Sequence, residues 1–161
     1  MIFGKPLSAY VAFAKVILLL IVVVGVARLA LSLAGVENAT VKWLSISIAS
    51  LIGLVYYSIR VHTTGFGSYK QLLALIVLQS VVAQAIIIAG IAIAIFMGKD
   101  NIFSAPEYSP PTSPGADGKT WLHAGMHVIF GVIVGSLIAW LIGSVILFIT
   151  QKAVQRDAAA A

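Results

Sequence analysis

Residue type and spacing come closest to a chemical site in the stretch Trp121-Leu122-His123-Ala124-Gly125-Met126-His127. His123 and His127 are one helical turn apart, so on a helix they share a face and can chelate one metal ion. Met126 flanks that face, and Asp100, Glu107 and Asp117 lie in the adjoining loop. Histidine with a thioether suits copper; histidine with a carboxylate suits zinc or iron. The plainer reading is a pair of interfacial histidines bonded to water or to loop carbonyls, because no third ligand is fixed by spacing. Haem asks for histidines from two helices at matching depth. The remaining histidine, His62, is expected at the opposite end of the molecule, so one chain cannot pair it with His123 or His127. Two copies of the fourth helix would be needed.

A second constellation is the turn Gly65-Phe66-Gly67 with Arg60, His62 and Lys70 around it. Successive backbone amides in such a turn can form an anion nest, and Arg60 and Lys70 would then favour a lipid headgroup phosphate. The alternative is a simple reversal flanked by basic residues. No GKS or GKT follows it and no strand precedes it, so neither nucleotide fingerprint applies. A third group is amide and hydroxyl: Ser45, Ser47 and Ser50, then Gln79, Ser80 and Gln84. Proton- or ion-coupled transport normally places a carboxylate or lysine in mid-membrane. No Asp or Glu falls there, so these groups read as hydrogen-bonding glue between helices. There is no GxSxG elbow and no HExxH, and a dyad of His123 with Ser104 or Ser109 is not demanded by spacing. With no cysteine, disulfides and thiolate metal sites are excluded.

Four apolar runs must position all of this: about 7–34, 41–61, 72–97 and 121–150. Each reaches the roughly 20 residues that cross a bilayer core as a helix. The composition agrees, at 61% hydrophobic and 9% charged. A soluble domain of this length has too little interior to hide so much apolar surface. The expected fold is therefore an all-α membrane protein, a four-helix antiparallel up-and-down transmembrane bundle forming a single domain over 1–161. The first run is too long for a signal-peptide core and carries Arg28, so it reads as a true span.

The pI near 9.7 does not imply nucleic acid, because the charges are sorted by side. Lys5, Lys15, Arg60, Lys70, Lys152 and Arg156 fall on one side. Lys42, Lys99 and Lys119 fall on the other, offset by Glu37, Asp100, Glu107 and Asp117. The positive-inside rule then puts both termini and the 62–69 turn in the cytoplasm, and the 35–40 turn and the 98–120 loop outside an inner membrane. Anionic membrane lipids satisfy the basic side.

Local signals fill in the elements. Pro6 suits a helix start. Thr40 reads as the N-cap of the second helix, and Ser68 with Gln71 as a capping box for the third. Pro106, Pro110, Pro111, Pro114, Gly115 and Gly118 make the outer loop coil. Arg28 is expected to snorkel to the surface, with Glu37 as partner. Trp43 and Trp121 should mark one interface, and Tyr10, Tyr56, Tyr57, Phe66 and Tyr69 the other. Gly131, Gly135, Ala139 and Gly143 form a small-residue ridge for close helix packing, which makes the fourth helix the expected most buried member. The function expected from this pattern is a non-catalytic subunit or accessory protein. It would pack as a homo-oligomer or in a larger membrane complex. The rivals are a haem-, copper- or zinc-binding redox protein and a lipid-binding or transport component.

Overall fold

A computed structural model of the chain describes residues 1–108 and 117–160. Pro110, Pro111, Pro114 and Gly115 lie outside the described residues. Helix α1 (Leu7–Leu33) begins after Pro6, which occupies the N-cap. It ends where Gly35 takes a left-handed φ of 88° and Val36 N donates to Leu31 O at 3.0 Å, a closure that favours glycine. A single turn follows, α2 (Asn38–Val41), and then α3 (Ile46–Thr63). Helix α4 (Tyr69–Met97) stops at Gly98, again left-handed. The fourth rod is continuous but not uniform: α5 (Trp121–Met126), a π-helical segment His127–Val134, and α6 (Gly135–Ala160). Among the described residues there is no strand beyond one isolated bridge, Ile2 to Lys5. Four helical stretches are long and apolar enough to cross a membrane: Leu7–Leu33, Asn38–Thr63, Tyr69–Met97 and Trp121–Arg156.

The second helix starts later than the sequence suggests. Thr40 sits inside the one-turn α2, and the chain breaks before Ser45, whose hydroxyl accepts from Ile48 N at 3.3 Å. The cap is therefore Ser45 and not Thr40. Asn38 is drawn back onto α1 by a 2.8 Å bond from the Ser32 hydroxyl. The capping box at the third helix is present, with Ser68 N donating to Gln71 Oε1 at 2.9 Å.

Helices α3 and α4 touch each other and form the middle of the molecule. Helices α1 and α6 flank them and do not meet. The fourth helix is thus the least enclosed, not the most. In its most apolar window 17% of residues are buried, against 39% for the second helix. It reaches only α3 and α4, which leaves Leu137, Ile138, Leu141, Ile142 and Val145 on a bare outer face.

The two ends of the bundle are built differently. At the turn end, Phe66 folds back onto α1 and stacks on Phe13 at 4.1 Å. Tyr10 meets Phe66 edge-on and its hydroxyl donates to Ile2 O. Tyr10 and Tyr57 are wholly buried here and belong to the core cluster. Trp43 and Trp121 are exposed at the other, loop end. There the chain after Gly98 turns inward. Ile102, Phe103, Ser104 and Ala105 are buried, and Asn101 ties them down. Its amide donates to Gly90 O at 2.7 Å and accepts from Phe103 N at 2.9 Å. Ser32 on α1 accepts from Ile102 N. Lys119 clips the loop ends together, bonding both Asp100 oxygens at 3.0 Å and Asp117 at 3.1 Å.

Candidate functional site

The break before Ser45 has a consequence for α1. The Leu44 carbonyl has no helical partner, and Arg28 reaches across to donate to it at 3.3 Å. The inward loop supplies Phe103, whose ring lies 5.3 Å from the guanidinium carbon. Arg28 is half-buried, and the expected pairing with Glu37 is not formed. Among the described residues it makes no ion pair. Its Nε is buried without a hydrogen-bond partner. The guanidinium thus takes its contacts from Leu44 O and the Phe103 ring of the inward loop.

Arg28 faces a cavity of about 300 Å³, lined also by Ser47, Gln84, Ile87, Phe103, Tyr108 and His127. His127 Nδ1 lies 2.8 Å from Gln84 Oε1; the amide oxygen accepts, so the imidazole donates. The π-helical segment beginning at His127 places Gly131 on the same side, directly against the Gln84 side chain. Segments of this kind commonly mark functional positions in helices.

A second cavity of about 400 Å³ adjoins the first and shares Ile46, Ser47, Gln84 and Ile87 with it. It exists because α3 contacts α6 but not the π segment. The gap is a cleft floored by α4, with Ser50 and Leu54 on one wall and Gly131, Gly135 and Ala139 on the other. The small-residue ridge therefore faces inward. Gly131 meets Gln84, and a Cβ on Gly143 would lie 2.8 Å from both Leu54 and Ser58. Gln79 spans the cleft floor, its amide donating to Ser50 O at 3.0 Å.

His123 and His127 come together, with ring centroids 5.0 Å apart. His123 is buried and its Nδ1 lies 2.8 Å from Gly118 O, so that nitrogen is the donor. Met126 is half-buried between them in sequence, and Met97 is exposed. Among the described residues no group of three or more His, Cys, Asp or Glu is placed to hold a metal ion. At the turn end, Gly65 N and Gly67 N donate to His62 O and Val61 O, so those amides do not face an anion. Arg60 lies over the Tyr56 ring and Lys70 is exposed.

The sequence reading placed Gln84 among packing residues and did not join Arg28, Ser47 and Tyr108 to it. One signal was available: Arg28, like Lys15, is a charge set within the first apolar run, and intramembrane charges mark function. Nothing in the spacing showed that a loop some 75 residues later would cover it. Comparisons with protein-family models, curated proteins and solved structures find no match to this chain.

Proposed function

We propose that this chain is an integral protein of a cell's inner membrane, four antiparallel up-and-down spans with both termini cytoplasmic, acting as a non-catalytic binding component. It holds the polar head of a small molecule in the loop-end pocket. One observation carries this reading: a half-buried guanidinium, without a carboxylate partner, faces a cavity it shares with Gln84 and His127. A charge at that depth is costly and is retained where it has something to bind. The cavities are of the size usual for small-molecule sites, about 300–1,000 Å³. Catalysis is not favoured, because His127 is bonded to an amide and not to a nucleophile. The basic turn end, with Arg60 and Lys70, suits anionic headgroups.

The test is chemical. Small molecules extracted from gently purified protein are compared between wild type and Arg28→Gln by mass spectrometry. A species stoichiometric with the wild type and depleted in the variant is expected. Identical extracts would remove the pocket's assigned role.

A second reading, a metal or haem held by His123 and His127, draws on the 5.0 Å separation of their rings. It predicts a coloured or metal-loaded preparation that loses its metal in His123→Ala or His127→Ala. A colourless, metal-free wild type would end it.

A further inference from the structure

Resting on the pocket reading, we infer that the ligand is a single-chain amphiphile whose anionic head, a carboxylate or a phosphate monoester, pairs with Arg28 while its chain lies in the cleft between α3 and the π segment.

The chain's side-chain carboxylates can be followed one by one. The side-chain carboxylates are Glu37, Asp100, Glu107, Asp117 and Asp157, and residues 109–116 contain none. Asp100 and Asp117 are held by Lys119. Glu37 and Glu107 are exposed, and Asp157 belongs to the last part of α6, far along the fourth helix from His127. A guanidinium stays protonated at any working pH. Among the described residues Arg28 therefore carries a half-buried positive charge with no carboxylate beside it, and its bond to Leu44 O is a long one at 3.3 Å. Removing a charge from water without a partner is strongly unfavourable. An anion bound beside it restores the balance, and charge-assisted bonds to a planar guanidinium are the strongest available here.

Shape supplies the second half. The polar pocket and the cleft share Ser47 and Gln84, so a head bound at the first continues into the second. The cleft is mostly apolar, with Leu51, Leu54, Ile87 and Ala139 among its lining, and Ser50 and Gln79 set into it as polar points. It is one gap between neighbouring helices wide, which suits one hydrocarbon chain. Leu51 on its rim is exposed, and in a bilayer that rim meets lipid.

The experiment titrates the protein, held in phosphatidylcholine nanodiscs, with palmitate, palmitate methyl ester and palmitoyl lysophosphatidate. The acid and ester share a chain and differ in charge. The expected result is tighter binding of the anions than of the ester by about 10- to 100-fold, the range of a charge-assisted hydrogen bond. That preference disappears in Arg28→Gln and survives in part in Arg28→Lys. Stronger binding of palmitate names the free acid, and stronger binding of lysophosphatidate names the phosphate head; both support the inference. Ester bound as tightly as acid in the wild type, with both lost in Ser47→Phe at the junction of the cavities, overturns the anionic head but leaves the pocket reading standing. No binding of any probe overturns both. The acid-to-ester comparison is made on the wild type, so it does not depend on a variant folding.

Discussion

Asn101 shows how much one side chain decides at the loop end. It is fully buried, and its amide links α4 at Gly90 to the backbone of Phe103. Asn101→Ala would strand those groups, at about 1–3 kcal/mol. We expect a lower melting temperature in detergent and faster proteolysis after residue 98; unchanged values would mean the loop is not anchored there. The charged clip beside it is exposed and is read in cleavage rate, not in stability. The Lys119 backbone N–H, then its side chain, hold the Asp117 carboxyl below its usual value. Bonds to Asp100, then Asp117, hold Lys119 above its own. A lowered carboxylate contributes above the ordinary carboxylate range and loses that contribution as pH falls through its shifted value; a raised lysine loses it only as pH climbs past the ordinary lysine range. Loop cleavage should accelerate as pH falls below about 4, and Lys119→Met should abolish that dependence. Arg28 was visible in the sequence as an odd charge in an apolar run. Its partners were not, since Leu44 O is freed by a helix break and Phe103 arrives from a loop that composition alone marks as coil.

At the scale of elements, the apolar runs revealed their own existence and left their ends uncertain. The capping box at Ser68 is local in sequence and could be read directly. The start of α3 could not, because Thr40 and Ser45 are both competent caps and the choice depends on how the chain leaves α1. Ser45→Ala should therefore cost about 0.5–2 kcal/mol, and Thr40→Ala much less, measured as paired thermal melts; equal effects would return the cap to Thr40. The ridge of Gly131, Gly135, Ala139 and Gly143 was legible as a packing surface, but periodicity says nothing about which neighbour it packs against. The fold turns it inward. Gly143→Val should collide with Leu54 and Ser58 of the same chain, costing about 1–3 kcal/mol as overpacking does. The loss should be independent of protein concentration. A concentration-dependent loss would place the ridge between copies. The π segment had no sequence signal: Val128-Ile129-Phe130 reads as ordinary apolar helix.

For the whole molecule, hydropathy determined the number of helices and little about their arrangement. That α3 and α4 are central, with α1 and α6 apart on either side, follows from contacts that no single helix records. The proposed orientation is directly testable because the native chain has no cysteine. Single replacements Lys70→Cys and Glu107→Cys should label from opposite sides with a membrane-impermeant maleimide, Glu107→Cys from outside intact cells. The reverse pattern would invert the topology. The inward fold of residues 101–105 bears on traffic as well as on packing. Phe103 and Tyr108 wall the pocket on the loop side, while the cleft beside α3 faces sideways. With the chain in a bilayer as proposed, a guest entering by that route would come from the lipid and not from bulk water, so its arrival rate should follow its mole fraction among the lipids. Diluting a fixed ligand-to-lipid mixture into more buffer should leave the rate unchanged, whereas adding plain lipid should slow it.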